Sequence, residues 1–309
     1  MMAYGGSAMD DACRTILDAM QLSIRDALGK PDAGGRIGVA FSGGVDSTLL
    51  ATVCDAMGYD VALLTVGFEG SHDMEFARAV ASEMPQMGGR HHALTIGDTP
   101  DFGDAYGSVR DVIRTDNLSW IENSVAFYHI CHLARTIPVD VVLTANGIDE
   151  LFCGYDAYRR ALNECSDGGD TAAGDGRSPP ADASTDYAVT ATCSSIQTGS
   201  NAEDVIYGIM RQKLDNELRM MRAIDKVASL CGVSVLQPLL SKEFCRAAYG
   251  IPLSEKIRGP RDMYRKHVIR RLASAVGVPR TSCQKRKKAM QYGSGIHKAV
   301  LRIRKRPAA

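Results

Sequence analysis

The chain of 309 residues lacks net charge: 36 Lys and Arg offset 36 Asp and Glu, so overall charge directs it neither to nucleic acid nor to a membrane surface. No apolar run approaches the ~20 residues a bilayer span needs, and the opening MMAYGG has no basic flank ahead of an apolar core. The nine cysteines, at positions 13, 54, 131, 153, 165, 193, 231, 245 and 283, include no C-x-x-C pair and no metal-type spacing. An odd count without a secretory leader predicts reduced thiols in a soluble, cytoplasmic protein. His129, Cys131 and His132 lie close together, but no further ligand stands in register, and packing accounts for them. Internal repeats are also absent. These absences argue against a helical membrane span and against a disulfide framework. They leave a chain with 45% apolar residues, enough to bury one large core or two small ones.

The charge is unevenly placed. From Lys256 to Arg306 there are seventeen Lys or Arg and one acid, Asp262, which reads as a solvated basic face or as a site for a polyanion. Apolar positions Ile16, Leu17, Met20, Leu22, Ile24 and Leu28, closed by Gly29 and Pro31, predict an N-terminal helix. RIGVAF (36–41), DVALLTVG (60–67), HHALTI (91–96) and VDVVLT (139–144) read as buried strands. Helical patterns at 47–57, 73–84 and 120–136 separate them, with further helices from Ala202 and a short strand at 233–236. Strands that are apolar throughout, alternating with amphipathic helices, predict an α/β fold: a doubly wound parallel five-stranded sheet with additional C-terminal helices. Four parts are expected: an N-terminal helical extension (1–35), a nucleotide-binding core (36–162), a disordered insertion (163–203) and a helical C-terminal part (204–309). The insertion is predicted from its Ser, Thr, Gly, Ala, Asp and Pro content, which cannot offset ordering entropy by burial.

The stretch FSGGVDSTLL (41–50) joins the first strand to a helix. Glycines there let backbone N–H groups point inward at close range, and a helix N-terminus adds partial positive charge for an anion. Gly43 and Gly44 shape such a cradle, Ser42 and Ser47 offer hydroxyl donors, and Asp46 offers a carboxylate for magnesium. The Walker spacing G-x-x-x-x-G-K-[ST] is missing.

With these residues in place, SGGVDS resembles the PP-loop of the N-type ATP pyrophosphatases, which adenylate a substrate and release pyrophosphate. LTANGIDELFCGYDAYRR (143–160) is similar to the asparagine synthetase stretch S-G-E-G-S-D-E-L-F-G-G-Y. Asp149, Glu150, Leu151, Phe152, Gly154 and Tyr155 match it, and Gly147 matches its second glycine. Val66-Gly67 with SHDME (71–75) resembles the family's adenine-holding strand end, and His91-His92 a structural His pair. VLQPLL (235–240) resembles V-P-F-L-D, and KKAMQYGSGI (287–296) resembles the C-terminal K-x-x-F-x-x-G segment. The resemblance to the asparagine synthetase family implies ATP and Mg2+ as cofactors. It assigns ATP and pyrophosphate to Ala40, Ser42, Gly43, Gly44, Asp46, Ser47, Val66, Gly67, Thr144, Ala145 and Gly147. Catalysis falls to Lys287 and Asp149, and magnesium to Asp46 and Asp149.

The departures from the family are specific. The family's catalytic glutamate falls at Asn146, and an amide cannot act as a base. Ser241 replaces the aspartate of V-P-F-L-D. The glutaminase domain with its N-terminal cysteine is not expected here, so nitrogen is expected as free ammonia or from a separate glutaminase subunit. The expected function is an adenylating ligase that makes asparagine from aspartate, ATP and an amine source. Two alternatives stay open: a PP-loop enzyme acting on another carboxylate or on tRNA through the basic stretch, and a catalytically weak ATP-binding subunit.

Overall fold

The computed structural model describes residues 9–31, 35–97, 102–167, 202–286 and 290–305. In chain order the elements are α1 (Asp11–Leu28), β1 (Arg36–Ala40), α2 (Val45–Ala56), β2 (Asp60–Gly67), α3 (His72–Ser82), β3 (His91–Thr95), α4 (Phe102–Ile113), α5 (Leu118–Thr136), β4 (Val141–Leu143), α6 (Ile148–Leu151), α7 (Asp156–Asp167), α8 (Ala202–Leu230), β5 (Ser234–Leu236), α9 (Lys242–Gly250), α10 (His267–Ala275), α11 (Arg280–Gln284), α12 (Met290–Gly293) and α13 (Ile296–Lys305). The strands form one sheet in the order β3-β2-β1-β4-β5. Every pairing is parallel, with Ile37 of β1 opposite Val61 of β2 on one side and Val141 of β4 on the other.

Alternation along β2 shows how the sheet is covered on both faces. Val61 and Leu63 join a core with α1, α2, α9 and α10, through residues such as Met20, Leu49, Phe244 and Ile269. Ala62, Leu64 and Val66 point the other way, to Phe127 and Ile130 of α5 and Met221 and Ile224 of α8. Such strands carry no polar face, because both sides are buried. Gly38 in β1 has no room for a side chain: a Cβ there falls 2.7 Å from Leu64 Cδ1 and 3.1 Å from Val139 Cγ1.

The expected N-terminal extension is part of this core. Asp10 caps α1 by accepting the Cys13 N–H at 2.8 Å, and Ile16, Met20 and Ile24 are fully buried. Ser241, which replaces the family aspartate, caps α9 through Phe244 N at 3.1 Å and meets Ser23 Oγ of α1 at 2.6 Å. Of the expected insertion, 163–167 continue α7 and Ala202 begins α8; residues 168–201 lie outside the described residues.

The order of the strands places the site. From β1 the chain winds outward through β2 and β3, then returns to the other side of β1 for β4 and β5. The direction reverses between β1 and β4, which opens a crevice at their carboxyl ends, the position where open parallel sheets take ligands.

Candidate active site

Two loops reach that crevice. The first leaves β1 at Ala40 and enters α2 at Val45. Gly43 adopts φ +70°, and a Cβ there falls 2.9 Å from Phe76 Cδ1 and 3.1 Å from Ala77 Cα, so both conformation and space require glycine. The turn is tied by hydroxyls: Ser47 Oγ donates to Gly44 O at 3.2 Å, and Ser42 Oγ accepts from Gly44 N at 3.3 Å. Thr48 Oγ1 also donates to Gly44 O, at 2.9 Å, and receives Ser282 Oγ from α11 at 3.1 Å. Ser42 and Ser47 therefore face the opening of a helix N-terminus, a ready anion site.

The second loop leaves β4 at Leu143 and enters the single turn of α6. Gly147 sits at φ +108°, and a Cβ there falls 2.5 Å from Leu239 O. Its N–H donates to Glu150 Oε2 at 3.1 Å, while the Tyr155 hydroxyl donates to Glu150 Oε1. Burial first, then the negative charges of Glu150, Asp149 and Glu217, push the Tyr155 phenol well above its ordinary range, so it stays protonated as a donor. Gly154 is required by space alone: a Cβ there lies 1.8 Å from Asp149 Oδ1 and 2.6 Å from Lys266 Cε.

The loops meet on one ammonium. Lys266 Nζ lies 2.6 Å from Asp46 Oδ2 and 2.5 Å from Asp149 Oδ1. The lysine is 2% exposed and precedes α10 in a left-handed conformation, φ +54°. Its backbone N–H is held by Lys256 O at 2.6 Å, and its carbonyl receives Arg270 N at 2.9 Å. Asp46 Oδ1 is buried with no hydrogen-bond partner among the described residues.

Around this pair lies a cavity of about 740 Å³, the size of a typical small-molecule site. Ala40, Ser42, Asp46, Ser47, Thr144, Ala145 and Asp149 line it, so seven of the expected nucleotide and metal residues come together. Gly43, Gly44 and Gly147 shape the backbone behind them. Val66 and Gly67 are not among the lining residues. They end β2 beneath the α12 segment, where Ser294 O accepts Phe68 N at 2.9 Å and Gly67 O accepts Ile96 N at 2.8 Å. Lys287 lies outside the described residues; its neighbour Lys285 lines the cavity, with Nζ 3.7 Å from Asp73 Oδ1 and 3.6 Å from the Phe76 ring centroid.

Sequence reasoning missed Lys266 and the α8 wall, where Lys213, Asn216 and Glu217 face the cavity. Nothing local marks Lys266 within a run of seventeen basic residues. The α8 residues share a signal: 213, 216 and 217 fall on one face at helical spacing. The His129 group packs as expected: His129 is buried and stacks on Phe102 at 6.1 Å. No cluster of three or more His, Cys, Asp or Glu among the described residues is arranged to hold a metal.

A doubly wound parallel sheet with a glycine loop and an acidic pair at its switch point places the chain among the open α/β folds. Within them, the chain belongs to the asparagine synthase family, whose match runs over residues 18–306. It is 23% identical over 300 residues to the putative asparagine synthetase [glutamine-hydrolyzing] 1 of Methanocaldococcus jannaschii, covering 88% of this chain and 48% of that protein. To asparagine synthetase [glutamine-hydrolyzing] 3 of Arabidopsis thaliana it is 30% identical over 138 residues, 41% of this chain and 23% of that protein. The chain thus spans about half the length of these curated relatives, or less. Among solved structures it is similar to the U34-tRNA thiolase NcsA of Methanococcus maripaludis, with TM-score 0.38 and 11% identity over 95% of this chain and 74% of that one. At that score the likeness supports no further argument.

Proposed function

We propose that the protein is an ATP-dependent ligase that activates a carboxylate by adenylation, releases pyrophosphate and transfers the acyl group to an amine. Aspartate and ammonia, free or from a separate glutaminase subunit, are the default pair, with asparagine and AMP as products. One observation carries the reading: Asp46 and Asp149, from the two loops at the switch point, converge on a single cation beside the α2 N-terminus.

The acidic pair suits magnesium as well as an ammonium. The two carboxylates, one of them bearing the orphaned Asp46 Oδ1, form a partial oxygen set of the kind Mg2+ completes with water and phosphate oxygens. Held by Asp46 and Asp149, such an ion would supply charge neutralisation for pyrophosphate. The chain's own part is to orient the triphosphate through Ser42, Ser47 and the backbone N–H groups of the loop. Lys266, Lys285 and, by family resemblance, Lys287 offset charge that develops as pyrophosphate leaves.

The test measures conversion of ATP across a panel of carboxylic acids with ammonia and Mg2+, with Asp46→Ala and Lys287→Ala alongside. AMP and pyrophosphate are expected in equal amounts, with both variants down by about 100-fold or more, the scale of losing an electrostatic contact to the transition state. ADP as the product, or unchanged turnover in both variants, contradicts the reading.

A further inference from the structure

We infer that Arg265 determines which acid the site accepts: its guanidinium holds a second anionic group, so a dicarboxylate is selected over a monocarboxylate. The role rests on the adenylation reading above. The turn before α10 is built to send this side chain inward. Arg265 and Lys266 are consecutive residues at positive φ, +44° and +54°, a conformation that residues other than glycine adopt at a cost and that persists only where the surroundings impose it. Asp262 imposes it. Its carboxylate accepts the N–H groups of Arg258 at 2.9 Å, Tyr264 at 3.1 Å and Arg265 at 3.0 Å, and pairs with His267 Nε2 at 2.6 Å. Lys266 thereby reaches the acidic pair, and Arg265 joins the cavity wall beside Asp156.

The guanidinium is buried but only partly satisfied. Arg265 is 6% exposed, and its one side-chain partner among the described residues is Asp156, with Nη1 2.6 Å from Oδ1. That carboxylate is 62% exposed and is shared with Arg159 Nη1 at 3.0 Å. Nε is buried and has no hydrogen-bond partner among the described residues. An unpaired buried donor costs free energy that a ligand oxygen recovers. With Nη1 on Asp156, the Nε–Nη2 edge is left, the edge that grips a carboxylate or a phosphate through two parallel bonds.

Position decides between those two anions. The glycine loop is flanked by α3, where Phe76 and Ala77 crowd Gly43, and by α11, where Ser282 binds Thr48. The phosphates belong to that loop and its α2 N-terminus. Arg265 stands at a different corner, where Gly154 and Asp156 line the cavity at the start of α7. Lys266 links the two corners, since its Nζ meets Asp46 of the loop and a Cβ on Gly154 falls 2.6 Å from its Cε. An acid with one carboxylate at the α-phosphorus and a second on Arg265 spans this arrangement.

The experiment compares aspartate, glutamate and succinate with the monoamides of each, and reads acid-dependent ATP–pyrophosphate exchange together with calorimetric binding of the acid. The wild type is expected to prefer the diacid by about 30-fold or more in kcat/KM, the scale of removing one partner of a buried charge pair. Arg265→Gln should erase most of that preference and raise KM for the acid far more than KM for ATP. Arg265→Lys, which keeps the charge without the planar fork, should recover part of it. A wild type that uses a monoamide as well as its diacid overturns the assignment without any variant. A rise in KM for ATP in place of the acid overturns it in favour of a phosphate contact, and equal loss with diacid and monoamide marks a structural part. The two readings fail separately. Diacid binding that Arg265→Gln abolishes, with no exchange under any acid, removes adenylation and keeps the anion site; exchange with monocarboxylates alone keeps adenylation and removes the role of Arg265.

Discussion

Lys266 combines two unfavourable features, a left-handed backbone at φ +54° and an ammonium that is almost fully enclosed. Each costs on the order of 1 kcal/mol or more unless the surroundings compensate. The compensation is the pair of carboxylates at 2.6 and 2.5 Å. Lys266→Met leaves those acids facing each other and is expected to lower stability by about 3–5 kcal/mol in EDTA, the cost of breaking a buried ion pair. Magnesium should raise the Tm of the variant more than that of the wild type, because a divalent ion takes over the neutralising role. Equal shifts in a thermal-denaturation series contradict a cation site at Asp46 and Asp149. Gly154 offers a second test at this scale: Gly154→Ala puts a methyl 1.8 Å from Asp149 Oδ1, displaces that carboxylate, and should reduce AMP formation about 100-fold or more. Neither residue's task was legible from its neighbours in sequence. Lys266 meets Asp46 across 220 positions, and only the sheet's winding brings them together.

Among the elements, β2 was read residue for residue at 60–67, because its apolar run is unbroken. The helix α4 was not anticipated, although Phe102, Tyr106, Val109 and Ile113 follow a helical period; Gly103 and Gly107 disguise it. In α8, Gly208 meets nothing within 4 Å, so Gly208→Ala should stabilise the protein by about 0.5–1 kcal/mol in urea unfolding without changing activity. Where elements meet, Lys256 is fully buried with Nζ between the rings of Phe152, Tyr207 and Tyr249, 5.6–5.8 Å from each centroid. Burial pushes its ammonium from 10.5 down to about 8. A depressed value means that charging the folded protein is disfavoured, so stability held above pH 10.5 falls as pH drops toward 8 and stays reduced below it. Lys256→Met is therefore expected to be more stable than the wild type at pH 7, with the difference closing as pH rises toward 10.5. A variant less stable at pH 7 means that attraction to the three rings outweighs desolvation.

Across the whole molecule, acid sensitivity follows from two histidines. Burial holds His91, beside Thr65 Oγ1, and His129, stacked on Phe102, at about 4 against an ordinary 6.5. Their contribution is complete above pH 6.5 and is lost as pH falls toward 4. Stability measured across that interval should decline, and His129→Phe should flatten the decline; an unchanged slope contradicts this origin. The fold class and the two motif loops were readable because strand hydrophobicity and glycine spacing are local signals. The basic stretch divides: Arg265 pairs with Asp156, Arg271 with Asp10 and Glu255, and Lys266 with the acidic pair, while Arg258, Arg261, Arg280, Arg286 and Lys298 stand exposed as the solvated face that the charge count allowed. Charge counted along a chain does not distinguish a surface from an interior partner. The central claim is that the switch-point cavity joins a carboxylate to the α-phosphorus of ATP. It is tested most directly by supplying aspartate, then the wider panel of acids, labelled with oxygen-18 in the carboxylate, and analysing the nucleotide by mass spectrometry. The account predicts AMP carrying one label from the acid and unlabelled pyrophosphate; label in inorganic phosphate, or AMP without it, contradicts adenylation at this site.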